Sequence, residues 1–305
     1  MKIAFTSCTN FKHYPNQPWW AKIEDQDPDY LFLLGDNIYM DYGIWNSEAN
    51  GKPQHYPDDK FRRVMNEKYQ KQFSEVHFKR LVKKMRVKNG LNAIWDDHDF
   101  AWNDVLGCEV NDVKAKATRE LFHKYFQCSA NYPETYYAIE TPLAKVIFLD
   151  VRSESTTTRQ ISPEQFEFIA KELEHELPYT IICSGLTLNS GIENWKKKSS
   201  DYQKLCKILS VKNNVLFLAG DIHQNKYVKP KPIDNSDCMT PFQLISSGLA
   251  VNLLGLASWI DGRHNYAILD LEETKAKIEF YNKRGYQRKK SHKANKALED
   301  YLIKP

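Results

Sequence analysis

Short apolar runs punctuate this chain, and between them lie amphipathic stretches with the 3.6-residue period of helices. Runs at 2–5, 31–34, 91–95, 145–149, 180–183, 214–219 and 242–246 have the length of strands covered on both faces. The spacing predicts helices over 19–25, 61–88, 114–126 and 200–209. The second carries Phe78, Leu81, Val82 and Met85 on one face and lysines and arginines on the other. A further helix begins at Ser162-Pro163-Glu164-Gln165, where a capping hydroxyl, a first-turn proline and a capping-box glutamine coincide. Its buried stripe is Phe166, Ile169, Ala170, Leu173 and Leu177. Residues 136–140 and 145–149 read as a hairpin, and 266–271 with 277–281 as a second antiparallel pair. Residues 41–60 are polar and broken by Gly43, Gly51, Pro53 and Pro57, which reads as a long loop of the kind that covers a site.

How the apolar runs stop matters more than the runs themselves. Leu31-Phe32-Leu33-Leu34 runs into Gly35-Asp36-Asn37-Ile38-Tyr39, and the run ending at Trp95 is followed at once by Asp96-Asp97-His98-Asp99. The strand ending at Leu149 meets Asp150-Val151-Arg152, the one ending at Ala219 meets Gly220-Asp221-Ile222-His223, and the first ends in Thr6-Ser7-Cys8. One Gly-Asp turn is ordinary; its recurrence is the signal. Strands alternating with helices make the sheets at least partly parallel, and in such sheets ligands gather at the C-terminal strand ends, where all these residues fall. Carboxylates crowded together repel one another unless cations hold them, so the cluster points to metal. Paired ions roughly 3.5–4 Å apart generate hydroxide near neutral pH and neutralise phosphate-ester oxygens. An arginine at the same edge supplies the fork that phosphate prefers.

Composition narrows the class further. The hydrophobic fraction of 42% and charged fraction of 27% are those of a globular protein, and no apolar run approaches the roughly 20 residues of a membrane helix. The first residues lack the apolar core of a signal peptide, so a cytoplasmic location is expected. Cys8, Cys108, Cys128, Cys183, Cys206 and Cys238 include no C-x-x-C pair, which indicates neither a zinc knuckle nor a disulfide framework. Of the net charge of +4, the stretch 283–305 contributes more than the whole, with eight Lys and Arg against two acids. The expected organisation is one domain over 1–282 and a basic extension over 283–305. That extension reads as a solvated terminus that can also attract nucleic acid or another anionic surface.

Taken together and in order, the strand-end motifs of Cys8, Asp36 to Tyr39, Asp96 to Asp99, Asp150 to Arg152 and Asp221 to His223 resemble those of the alkaline phosphatase D (PhoD)-like branch of the calcineurin-like metallophosphoesterases. The resemblance covers roughly residues 1–250 and implies an α/β fold, a four-layer α/β/β/α sandwich with two mixed sheets. It implies that Asp36 bridges two metals, that Cys8, Tyr39 and Asp221 hold an iron(III)-like ion, and that Asp97 and His223 complete the second position. His98 would then act at the leaving oxygen, with Arg152 and Asn37 on the phosphate. The second ion would be calcium or another divalent cation such as magnesium, manganese or zinc. Two departures stand out: Met40 occupies the place of an acid, with Asp41 one position later, and Asp99 stands where glutamate is usual. Arg152 has a local alternative partner in Asp150. The expected function is metal-dependent hydrolysis of phosphomonoesters or phosphodiesters. A different class on the same scaffold is a non-catalytic protein that docks anionic polymers through the basic tail.

Overall fold

The computed structural model describes residues 1–41, 52–127, 134–233, 238–251, 263–283 and 285–286. Of the expected loop over 41–60, residues 42–51 lie outside them; the described remainder contains a short helical turn, Pro53–His55, and the expected loop ends early because a helix begins at Asp58, directly after Pro57. Nearly all of the basic extension also lies outside the described residues, and with it the tail's expected anionic contacts.

Two six-stranded mixed sheets face each other. The first has the order β12 (Gly285–Tyr286), β11 (Ala276–Asn282), β10 (Tyr266–Leu271), β1 (Lys2–Thr6), β2 (Tyr30–Leu34), β3 (Leu91–Ile94). In it β1, β2 and β3 run parallel, and β10 joins β1 antiparallel. The second has the order β4 (Tyr137–Glu140), β5 (Ala144–Phe148), β6 (Tyr179–Ser184), β7 (Val215–Ala219), β9 (Phe242–Ser246), β8 (Asn225–Val228). Its four central strands are parallel and both edges antiparallel. β2, β6 and β7 are apolar almost throughout because both of their faces are buried: β7 reads Val-Leu-Phe-Leu-Ala with every residue covered.

Three apolar clusters fill the spaces between the layers. Phe5, Phe32, Leu34, Phe148, Cys183 and Leu218 pack between the two sheets. Outside the first sheet, Leu31, Leu33 and Ala93 meet α1 (Trp19–Asp25), α2 (Asp58–Ser74), α3 (Val76–Val87) and α5 (Asp112–Phe126) through Trp20, Tyr69, Met85 and Phe122. Outside the second sheet, Ile182 and Phe217 meet α6 (Pro163–Glu172) and α7 (Ser199–Leu209) through Phe166, Ile169 and Leu205. The result is the expected four-layer α/β/β/α sandwich. No helix among the described residues is long and apolar enough to cross a membrane.

Local differences from the sequence pattern have identifiable causes. The single helix expected over 61–88 is two helices broken at Glu75, which takes an extended conformation and caps α3 by accepting from the Phe78 N–H at 2.7 Å. The same carboxylate accepts from the Gln17 N–H at 3.1 Å, so the break is fixed by a distant segment. The Ser162 cap is present, its Oγ accepting from the Gln165 N–H at 3.3 Å. Leu177, expected on that helix, lies beyond its end at Glu172.

Candidate metal centre

Five strand ends deliver the motif residues to one edge of the sandwich, three from the first sheet and two from the second. β1 delivers Cys8, β2 delivers Asp36 and Tyr39, and β3 runs into a single helical turn, α4 (Asp97–Phe100). From the second sheet, β5 leads to Arg152 and β7 to Asp221 and His223. Cys8, Asp36, Asp221 and His223 all adopt positive φ, at 62°, 52°, 69° and 50°. That region is sparsely populated by non-glycine residues and costs on the order of 1–3 kcal/mol per residue. The fold holds four candidate ligands in strained turns.

Asp36 is the hub. Its Oδ2 accepts from the Cys8 thiol at 3.2 Å and from the Tyr39 hydroxyl at 3.1 Å. Its Oδ1 is buried and has no hydrogen-bond partner, an arrangement that costs free energy unless a cation meets it. Ligand atoms of Cys8, Asp36 and His223 lie within 4.8 Å of one another, and so do those of Asp36, Asp97 and His98. The structure therefore brings His223 to the Cys8 side of Asp36 rather than beside Asp97. The Tyr39 hydroxyl lies 3.4 Å from His223 Nε2. Asp221 belongs to neither group; the Cys8 thiol approaches its backbone carbonyl at 3.8 Å.

The electrostatics favour cations. Burial and the neighbouring Cys8 push Asp36 well above the usual carboxylate range. Burial, Asp97 and Glu193 push Asp221 up to about 7. Burial lifts the Cys8 thiol to about 11 and holds Tyr39 well above its ordinary value. By contrast, desolvation and His98 hold His223 down near 3, which leaves a neutral imidazole able to donate a lone pair. Too many acids share too little solvent, and bound cations are what relieve this.

Two expected substrate contacts are placed differently. Asn37 Nδ2 donates to the Ile94 carbonyl at 2.9 Å and to Asp99 Oδ2 at 2.6 Å, so both amide hydrogens work inside the fold. Asp99 also accepts from the backbone N–H groups of Asp36, Asn37 and Asp96; it clamps the turn that aims Asp36. Arg152 is fully buried. Its Nε donates to Asp96 at 2.5 Å, and its two terminal nitrogens donate to Glu193 at 2.9 and 3.0 Å. In this structure the fork that a phosphate would use is held by carboxylates. From Arg152 the alternative partner Asp150 receives only the backbone N–H, its carboxylate also accepting from Trp95, Thr135 and Ser153. Asp96 reaches Arg152 because glycines stand on both sides of it: a Cβ on Gly35 or Gly185 would lie 2.5 or 2.6 Å from its side chain.

Three carboxylates were not among the expected site residues. Asp41 pairs with His98 Nδ1 at 2.5 Å and fixes that ring, which also packs against Tyr39 at 4.1 Å between centroids. Its signal was available, since Asp41 stands one place after the expected acid. Asp104 and Glu193 lie within 4.8 Å of Asp97. Asp104 follows a helical turn and Glu193 a strand with no acid at its end, so no pattern marked either.

A family model for PhoD-like phosphatases matches residues 3–160, just over half of the chain. The chain belongs to the PhoD-like phosphatase family. No curated protein sequence matches it. Among solved structures, the PhoD-like chain is similar to PhoD itself, with 14% identity, a TM-score of 0.69, and coverage of 92% of this chain and 66% of that one. It is also similar to a dimetal phosphatase from Danio rerio, with 10% identity, a TM-score of 0.52 and coverage of 92% and 95%. A third similarity is to the purple acid phosphatase PPD1 of yellow lupin, Lupinus luteus, with 12% identity, a TM-score of 0.57 and coverage of 94% and 52%. At these identities the likeness is one of fold, and the chain spans just under two thirds of the PhoD structure's length.

Proposed function

We propose that this PhoD-like phosphatase hydrolyses phosphoesters at a dinuclear metal centre bridged by Asp36. The observation that carries the reading is the buried, unpartnered Asp36 Oδ1, on a carboxylate common to two groups of mutually close ligand residues. Cys8, Tyr39 and His223 would hold one ion, with Asp221 beside them, and Asp97 the other. Thiolate and phenolate donors suit iron(III), whereas a carboxylate-rich position suits calcium, magnesium, manganese or zinc. When bound, paired cations supply a water of lowered pKa and shield the charge of the phosphate.

The chain's own groups do the rest. Desolvation disfavours charge on His98, but Asp97, Asp41 and Asp36 outweigh it and hold the imidazole well above its ordinary pKa. A protonated ring, oriented by Asp41, suits proton donation to a leaving alkoxide. Arg152 is assigned a positioning role: through Asp96, Asp97 and Glu193 it fixes the carboxylates of the second position.

Metal analysis of the purified protein, with turnover of p-nitrophenyl phosphate and bis(p-nitrophenyl) phosphate, tests this reading. We expect bound transition metal and hydrolysis that a chelator abolishes. Absence of both, across iron, manganese, zinc and calcium supplements, would overturn it. If Tyr39 binds iron(III), the protein is coloured by phenolate charge transfer and Tyr39→Phe bleaches it.

A further inference from the structure

The segment that leaves β9 pairs with the segment that leaves β1, so the two sheets are laced together next to Cys8. The N–H groups of Gly248 and Leu249 donate to the Ser7 carbonyl at 3.1 and 3.2 Å. Ala250 donates to the Cys8 carbonyl at 3.1 Å, and Asn10 returns a bond to the Ala250 carbonyl at 2.8 Å. Asn265 grips the same place: its Nδ2 donates to the Ser247 carbonyl at 2.8 Å and to the His223 carbonyl at 3.3 Å. Gly248, at a φ of 90°, lets this backbone come close to His223, since a Cβ there would lie 3.1 Å from the His223 Cα.

Ser247 is fully buried at the head of that segment. Its Oγ accepts from the His223 N–H at 3.0 Å and lies 3.1 Å from the Cys8 sulfur. A serine hydroxyl carries one proton. Because the Cys8 thiol is turned to Asp36, the Ser247 proton falls on the Cys8 sulfur. Ser7 Oγ stands farther from that sulfur, at 3.4 Å. We infer that Ser247 is a positioning residue of the metal centre: one hydroxyl serves ligands from both sheets, donating to the Cys8 sulfur and holding His223 in its positive-φ turn. The inference rests on the metal centre proposed above and adds the group that tunes it. A hydrogen bond to a coordinating sulfur draws electron density from it, and outer-shell partners of this kind set both the affinity and the electronic character of a site. A turn at positive φ persists only when its surroundings impose it.

The test loads the protein with cobalt(II), whose thiolate charge-transfer band reports on the Cys8 sulfur independently of turnover; Cys8→Ser should abolish the band and so assign it. In Ser247→Ala, which removes one oxygen and adds no volume, we expect the band at longer wavelength and cobalt(II) affinity lower by about 10–100-fold. Turnover of p-nitrophenyl phosphate should fall through kcat. Ser246→Ala is the matched comparison. It removes the neighbouring buried hydroxyl, which donates to Asn225 Oδ1 at 2.7 Å, and should leave band and affinity as in the parent protein. An unchanged band and affinity in Ser247→Ala would overturn the inference, as would equal losses in both variants, which mark a general loosening of β9. A parent protein that takes up no cobalt(II), or takes it up without a thiolate band that Cys8→Ser removes, overturns it as well, because Cys8 is then no ligand. If the band is present but no phosphoester is hydrolysed, the phosphoesterase reading falls alone, and band and affinity still decide Ser247.

Discussion

Asp36 and Arg152 stand at the same edge of the sandwich, both buried, and their surroundings are opposites. Asp36 keeps one carboxylate oxygen without any partner, whereas Arg152 is surrounded by Asp96, Asp97 and Glu193. The first is an incomplete coordination shell that a cation would fill. The second is a guanidinium whose three nitrogens already donate within the protein, to Asp96, to Glu193 and to the Val105 carbonyl. Lying at a strand end with a charged side chain does not by itself make a residue a substrate contact; what counts is whether its polar atoms are already satisfied.

The comparison can be broken experimentally, and the largest effect is expected at Asp36. Asp36→Asn should lower phosphoester turnover by roughly 10³-fold or more, several kcal/mol of transition-state stabilisation, with loss of bound metal measured on the same preparation. Retained metal and activity would place the hub elsewhere. Arg152→Met should act on folding, because it leaves Asp96 and Glu193 without their cation; a loss of about 3–5 kcal/mol in denaturant titration is expected. Adding Glu193→Gln should recover part of it. If Arg152→Met instead leaves stability intact and raises KM for small phosphate esters, the arginine reaches substrate after all.

Smaller effects sharpen the contrast. Asp41→Asn should lower kcat by about 10–100-fold through the orientation of His98, as removal of an outer-shell partner does, with metal content unchanged. The smallest effect concerns His264, stacked on Trp19 with Nδ1 2.9 Å from the Leu249 carbonyl. Burial holds its folded pKa near 4, below the ordinary value of about 6.5. The unfolded chain therefore binds the proton first. This contribution to stability is intact above about pH 6.5 and is lost as pH falls toward 4. His264→Asn, which tolerates the positive φ there, should flatten that acid limb in melting temperatures measured between pH 4 and 7.

Much of this architecture was legible because it rests on local rules. Apolar runs that end in Gly-Asp turns revealed β2 and β7 and placed Asp36 and Asp221, and Cys8 was legible from the end of β1. Glu193 was not legible, because its importance comes from Arg152, which lies 41 residues away in sequence and in the loop after a different strand. The break at Glu75 was hidden for a related reason: its carboxylate serves Gln17, 58 residues earlier. The substrate roles expected of Asn37 and Arg152 followed from motif position alone, and position carries no information about what already occupies a hydrogen-bonding group.

The turns that carry Cys8 and Asp36 belong to one sheet, and those that carry Asp221 and His223 to the other. Tyr39 and His223, nearly touching, are 184 residues apart along the chain. An ion gripped by Cys8, Asp36 and His223 would act as a rivet through the two halves of the sandwich and close one of the longest loops the chain can form. Such a rivet raises the melting temperature by binding only the assembled form. It also makes metal loading a report on whether the two sheets have docked in register.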